Sequence, residues 1–169
     1  MIQSYINKFS AAECDKIIAL GESVEQSYVK EGTGDSANIK NVRVGFIHCD
    51  IDSMWIFSRL IPLFGAWPIS RLESMQFSIY GPGGCCDWHI DYEEDTNGGA
   101  GRDRIVNAIV QLSDPGDYDE GDLEARVGLS IHQTSRERGS VLVLDKEIWH
   151  RVAPLTGGTR KSLVCWGLR

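Results

Sequence analysis

From Met75 onward the chain is a succession of short apolar runs broken by clusters of Gly, Pro and Asp, and this texture restricts the fold more than any other feature. Met75 to Tyr80 is followed by Gly81-Pro82-Gly83-Gly84, which reads as a turn. Cys86 to Tyr92, Ile105 to Leu112, Asp122 to Val127, Ser140 to Leu144, Trp149 to Ala153 and Arg160 to Trp166 follow as further strands. Strands at such short spacing build a sandwich or a barrel. Glu93 to Asp103 is acidic and Gly-rich and reads as a mobile loop; because it directly follows Asp91, it is expected to act as a lid.

The first third has a different pattern. Ser10-Ala11-Ala12-Glu13 is a capping box, and Cys14, Ile17, Ile18 and Val24 follow at roughly helical spacing, which predicts a first helix. Lys30 to Asn41 is polar and reads as a loop, and Val42 to Cys49 alternates like a strand. Asp50 to Ser53 offers N-caps for a second helix, Met54 to Gly65. Its Trp55, Ile56, Phe57, Leu60, Ile61 and Phe64 form an apolar face broad enough to need a sheet beneath it. With no internal repeat or linker, the expectation is one domain over 1–169, mainly β with N-terminal helices. Residues 1–67 would supply two helices and a supporting strand, and 75–169 a jelly-roll core.

Bulk properties narrow the partners. A net charge of −7 disfavours a grip on phosphate backbones, which needs clustered Lys and Arg, so no nucleic acid is expected. No stretch is apolar enough to span a bilayer, and Met1-Ile2-Gln3-Ser4 lacks the basic and apolar regions of a signal peptide. The five cysteines form no C-x-x-C pair, which argues against a zinc knuckle and fits free thiols in a reducing cytoplasm.

His89-Ile90-Asp91 carries the chemistry. Side chains at i and i+2 of a strand share a face, so one imidazole and one carboxylate can reach the same ion. Of the other histidines, His48 precedes the second helix and His132 lies in a polar stretch. His150, in the strand-like run Trp149 to Ala153, is the candidate third ligand. Two His and one carboxylate leave three positions of an octahedron open, the ligand set of non-haem Fe(II) oxygenases. Arg160 follows His150 across Thr156-Gly157-Gly158-Thr159. Read as a hairpin, that turn places Arg160 on the strand next to His150. A guanidinium there is a bidentate fork for a carboxylate, which 2-oxoglutarate presents at its far end.

The stretch Phe77 to Trp166 resembles the prolyl 4-hydroxylase-like branch of the 2-oxoglutarate/iron(II) oxygenase superfamily, especially its bacterial and phage-type members. The matching pieces are Phe77 to Gly83, Trp88-His89-Ile90-Asp91-Tyr92, Gln111 to Pro115, Arg138 to Leu144 and His150 to Trp166. The resemblance implies a double-stranded β-helix and a dioxygenase that consumes 2-oxoglutarate and O2. It would release succinate and CO2 and hydroxylate an unactivated C–H bond, with a prolyl residue of a peptide or protein as the leading substrate and small molecules as the alternative. It implies Fe(II) on His89, Asp91 and His150, Arg160 on the co-substrate, and Tyr80 and Gln111 near it; ascorbate is the accessory reductant of such enzymes. Strand alternation adds Ser162 and Trp166 to the Arg160 face. The resemblance further implies Arg43, Arg104, Trp88 and Tyr92 on the substrate side. Two departures bear on the substrate: Cys86 stands where relatives often carry an aromatic residue, and Asp119-Glu120-Gly121-Asp122 has one Gly where the family usually has two.

Two rival readings remain at this stage. An AlkB-like nucleic-acid demethylase should carry a second Arg six residues after Arg160, where this chain has Trp166. A non-catalytic, cupin-like metal-binding barrel for small ligands would not need Arg160 at its spacing.

Overall fold

The computed structural model describes residues 1–29, 39–91 and 103–169. The expected lid lies outside these residues except for Asp103, as do Tyr92 and most of the expected loop Lys30 to Asn41.

Helix α1 (Ala11–Ser23) starts where the capping box places it: Ser10 Oγ accepts from the Glu13 N–H at 3.3 Å, and the Glu13 carboxylate accepts from the Ser10 N–H at 2.7 Å. The second helix is shorter than the pattern predicts. Helix α2 (Met54–Leu60) passes into a 3-10 turn, Ile61–Phe64, because Pro62 has no N–H to continue the α-helical ladder. Ile56, Phe57, Leu60, Leu63 and Phe64 are buried, while Ile61, expected on the apolar face, is half exposed.

The helices lie on a curled sheet. Its strands are β1 (Ile2–Tyr5), β2 (Ser27–Tyr28), β3 (Ile39–Ile47), β4 (Arg71–Leu72), β5 (Met75–His89), β6 (Arg104–Gln111), β8 (Leu123–Val127), β9 (Ser130–Gln133), β10 (Val141–Asp145), β11 (His150–Val152) and β13 (Arg160–Leu168); β7 (Tyr118–Glu120) and β12 (Leu155–Gly158) form a separate ladder. The main order is β1-β10-β6-β13-β5-β11-β8-β9, all antiparallel, with β3 also on β5. This is the expected mainly β fold with N-terminal helices, and the N-terminal region contributes more strands than the one expected.

Two sequence expectations are corrected. Gly81-Pro82-Gly83-Gly84 does not end a strand; β5 runs through it and keeps pairing with β3 as far as Cys86. The irregularity is a bulge in β5: Gly81 to Gly84 stand opposite Asn41 alone, whose φ is +44° and whose side chain donates to the Pro82 carbonyl at 2.9 Å. A Cβ on Gly84 would lie 2.9 Å from the Asn41 carbonyl oxygen, so the glycine is there for close backbone approach. Likewise Thr156-Gly157-Gly158-Thr159 is no simple turn. Most of it forms β12, which pairs with β7 and not with its sequence neighbours.

Alternation sorts the strands into two cores. Met75, Phe77 and Ile79, Val106, Ala108 and Val110, and Leu163 and Cys165 face the helices, and Phe9, Ile17, Ile56 and Phe64 cover them. Alternate residues, among them Tyr80, Ile109, Leu142 and Leu144, face the barrel interior with Leu123, Ala125 and Val152 from the opposite wall. The polar interior positions Gln76, Ser78, Asn107, Gln111, Arg160 and Ser162 lie on the same strands, so the barrel interior is where a site can form.

The departure at Asp119-Glu120-Gly121-Asp122 has a backbone cause. Glu120 and Gly121 both have positive φ, at +57° and +69°, where a side chain is disfavoured. A pair of glycines suits that geometry, and Glu120 bears a left-handed cost of roughly 1–2 kcal/mol. Glu120→Gly is expected to raise the melting temperature by about 2–4 °C, the net gain of roughly 1 kcal/mol expected for a chain of this size. A lower melting temperature in thermal denaturation would mean that the Glu120 side chain makes a stabilising contact after all.

Candidate metal centre and co-substrate pocket

His89 ends β5 and His150 begins β11, and the two are direct antiparallel partners. Asp91 follows two residues after His89, at the start of the segment leaving the strand. The two imidazoles lie 4.3 Å apart between centroids, tilted by 52°. One ligand atom from each of His89, Asp91 and His150 falls within 4.8 Å of the others. Asp91 Oδ1 is 3.5 Å from His89 Nε2 and 3.7 Å from His150 Nε2. The three predicted ligands are therefore brought together.

The ring orientations are set from behind. His89 Nδ1 lies 2.7 Å from the Asp87 carbonyl oxygen, and His150 Nδ1 lies 3.0 Å from that of Ile148. A carbonyl only accepts, so each Nδ1 carries a proton and each Nε2 faces the centre, the nitrogen that would bind a metal once it carries no proton. The Asp91 carboxylate is divided in the same way. Oδ2 accepts from Trp166 Nε1 at 2.9 Å and from Asn107 Nδ2, which leaves Oδ1 turned to the histidines.

Charge follows that geometry. Burial alone would raise the Asp91 pKa, but His150, His89 and the Asn107 amide hold it far below the usual carboxylate range. Burial is the largest single influence on His89 and opposes its charge, yet Asp91 and Cys86 together outweigh it and raise the His89 pKa; on His150 burial wins and lowers it. Asp91 thus stays ionised and draws a proton onto His89. A divalent cation would take over that role, and such binding releases a proton. The donor set of two imidazoles and one carboxylate, with open positions, fits Fe(II).

Arg160 is 1% exposed and lies in the same cavity of about 250 Å³ as the three ligands. Nη1 is 3.4 Å from Ser162 Oγ, and the guanidinium carbon lies 5.4 Å from the centre of the Tyr80 ring. Nε and Nη2 are buried and find no partner within the protein. A buried guanidinium edge with two free donors is the complement of a carboxylate, so the residues present fit 2-oxoglutarate. The expected route to this position is corrected, however. β13 does not pair with β11; β5 lies between them, so that Arg160 is opposite Tyr80 while His150 is opposite His89.

The remaining predicted residues divide. Tyr80, Ser162 and Trp166 line the cavity, and burial pushes the Tyr80 phenol up, which keeps it protonated. Gln111 does not line it; its amide donates to Tyr118 Oη at 3.0 Å and to the Ser113 carbonyl at 3.2 Å. Arg104 lines the cavity but is ion-paired with Glu73 at 2.6 Å. Arg43 is exposed on β3 and lies away from the cavity. Trp88 points out of the barrel, between Arg126 and Arg151, whose guanidinium carbons lie 4.6 and 4.8 Å from its ring. Tyr92 lies outside the described residues. Sequence reasoning missed Asn107, although an Asn amid the β-branched run Ile105 to Val110 is itself a signal. Cys86, the departure read as lying toward the substrate, does line the cavity, with its sulfur 3.5 Å from His89 Nδ1.

Asn107→Ala removes one of the two donors to Asp91 Oδ2. Calorimetric titration with nickel(II) or cobalt(II) should show affinity reduced by about ten-fold, the low end of the effect of losing such a supporting bond. Unchanged affinity would show that Trp166 alone fixes the carboxylate.

Comparisons with known proteins agree with this geometry. A PKHD-type hydroxylase of Pseudomonas paraeruginosa is 34% identical over 109 residues, and the PKHD-type hydroxylase PiuC of Pseudomonas aeruginosa is 33% identical; each match covers 62% of this chain. The chain spans about half the length of these relatives, 48% in both cases. Among solved structures, a Pseudomonas putida prolyl-4-hydroxylase superposes with a TM-score of 0.70 at 18% identity, covering 99% of this chain and 92% of that one. A Trichoplax adhaerens prolyl hydroxylase, solved with a hypoxia-inducible-factor peptide fragment, superposes with a TM-score of 0.75 at 16% identity, covering 99% and 83%. HygX of Streptomyces hygroscopicus, solved with nickel and 2-oxoglutarate bound, gives 0.73 at 16%, covering 99% and 82%. At these identities the structures speak for the fold, a double-stranded β-helix. Residues 75–167, more than half of the chain, match the 2OG-Fe(II) oxygenase superfamily, and the chain belongs to that family.

Proposed function

We propose that this chain is an iron(II)- and 2-oxoglutarate-dependent dioxygenase that hydroxylates an unactivated C–H bond and releases succinate and CO2. The observation that carries this reading is one cavity holding both a His-Asp-His set and a buried guanidinium with two unpartnered donors. When bound, iron(II) and 2-oxoglutarate supply the oxidising chemistry. The protein's own residues bind, orient and exclude water. His89 Nε2, His150 Nε2 and Asp91 Oδ1 hold the metal. The Arg160 fork takes the far carboxylate of the co-substrate, with Ser162 and Tyr80 beside it. Ile109, Leu123, Val152 and Val164 form apolar walls that lower the local dielectric around these charges.

A prolyl residue of a peptide or protein is the substrate class we favour. Its support is the PKHD-type and prolyl hydroxylase relatives, and the peptide carried by the Trichoplax enzyme. Nucleic acid is disfavoured by the net charge of −7 and by Trp166, which stands where a demethylase would carry its second Arg and is instead engaged with Asp91. No helix among the described residues is long and apolar enough to cross a membrane. That none of the five cysteines is joined in a disulfide supports a reducing, cytoplasmic setting.

Turnover in the presence of iron(II), 2-oxoglutarate and ascorbate tests the reading. Arg160→Ala should raise the 2-oxoglutarate requirement at least about ten-fold, since a sheltered charge-assisted bond is worth roughly 1.5–3 kcal/mol and 1.4 kcal/mol is a factor of ten. Arg160→Lys should lose less, because it keeps the charge and loses only the fork. Metal affinity should survive both changes. If Arg160→Ala titrates like the wild type, the co-substrate assignment is wrong and a passive metal-binding barrel becomes the better description. Mass spectrometry of a proline-containing peptide panel should show products heavier by one oxygen atom.

A further inference from the structure

Behind Asp91 stands a second set of contacts that the metal and co-substrate assignments do not use. The indole N–H of Trp166 donates to Asp91 Oδ2 at 2.9 Å. The guanidinium of Arg104 lies over that indole, 4.0 Å from its centroid. Arg104 Nε donates to Glu73 Oε2 at 2.6 Å, and both side chains are largely sheltered, at 21% and 18% exposure. The Glu73 N–H in turn donates to the Trp166 carbonyl at 3.0 Å. The chain of contacts therefore closes on itself, from Trp166 backbone through Glu73 and Arg104 to the Trp166 ring.

Such a loop has two physical effects. It pins the plane of the indole, so its N–H points at one oxygen of Asp91. A cation over the ring face also draws electron density from the indole and strengthens that N–H as a donor. We propose that Glu73 and Arg104 are positioning residues for the metal ligand Asp91, acting through the Trp166 indole without touching the metal, its ligands or the co-substrate. This rests on the metal centre proposed above. Glu73 answers the Arg104 charge, so Arg104 serves as a lever on Asp91 and not as an anion anchor for substrate.

Cobalt(II) alone, titrated into the purified full chain, provides the test through its affinity and its visible ligand-field spectrum. Trp166→Phe keeps an aromatic face and removes the N–H, and should weaken binding about ten-fold. Arg104→Ala should weaken it by about three- to ten-fold and shift the spectrum, as expected for loss of outer support to a ligand. Arg104→Lys keeps a cation over the ring and should restore most of the loss. Glu73→Gln, a milder change, should move both readouts in the same direction as Arg104→Ala. The decisive variant is the double one: in the Trp166→Phe background, Arg104→Ala should cost nothing further, because its path to Asp91 is already cut. An equal loss from Arg104→Ala in both backgrounds, or none in either, overturns the proposal while leaving the metal centre intact. If the wild type binds no cobalt, or if His150→Ala binds it equally well, the metal centre and this inference fall together.

Discussion

The geometry of the site depends on one strand pairing with two different walls. β5 lies against β13 over Gln76 to Tyr80 and against β11 at Cys86 and His89. Tyr80 is thereby opposite Arg160, and nine residues later His89 is opposite His150. The spacing between the guanidinium and the histidines is a property of β5's own length and of the bulge at Gly81-Pro82-Gly83-Gly84, which lets the strand bend without ending. Antiparallel registry of this kind is stiff, since a one-residue slip would turn every side chain to the other face. A metal ligand set and a carboxylate fork must be held at a fixed separation if both ends of one small molecule are to be bound, and a continuous strand is an economical way to hold them.

The helices matter to this arrangement although none reaches the cavity. Ile17, Ile56, Phe57, Leu60 and Phe64 cover one face of the sheet, so the residues pointing outward on β5, β6 and β13 are spent on packing. Only because that face is covered can the inward face carry Asn107, Arg160 and Ser162, polar groups that would otherwise be a poor choice for buried strand positions. The strand sequences show this division of labour: in Arg160-Lys161-Ser162-Leu163-Val164-Cys165-Trp166, the even positions serve the cavity, while Leu163 and Cys165 serve the core.

Much of this was legible in the sequence because it rests on local periodicity. His89 ends β5 and Asp91 follows two residues later, Arg160, Ser162 and Trp166 alternate, and the capping box at Ser10 starts its helix where it should. What was not legible depends on which strands become neighbours. Arg160 was expected beside His150 because the two are close in sequence and separated by glycines; tertiary pairing inserted β5 between them. Gln111 sits on the inward face as expected, but Tyr118, on a strand too short to announce itself, draws its amide away. β9 escaped notice because all four of its residues are exposed, so no apolar face marks it. Asn107 escaped because its partner, Asp91, lies sixteen residues away in the sequence.

The two buried charges in the cavity are treated in opposite ways, and the difference indicates how each half of the site is built. Asp91 is answered within the chain: two donors fix one oxygen, two imidazoles face the other, and Trp166 is itself braced by Arg104 and Glu73. Arg160 is deeper still, yet its contacts within the chain are one long hydrogen bond and one aromatic face. Burying a guanidinium on those terms opposes stability, since an incompletely paired buried charge is among the more costly features a fold can carry. A position of this kind is not explained by packing, because an apolar side chain of similar volume would serve the fold better. It is explained by a partner the chain does not itself supply, one that brings a carboxylate. The metal half of the cavity is thus preorganised by protein groups, and the co-substrate half is organised to be completed by a ligand.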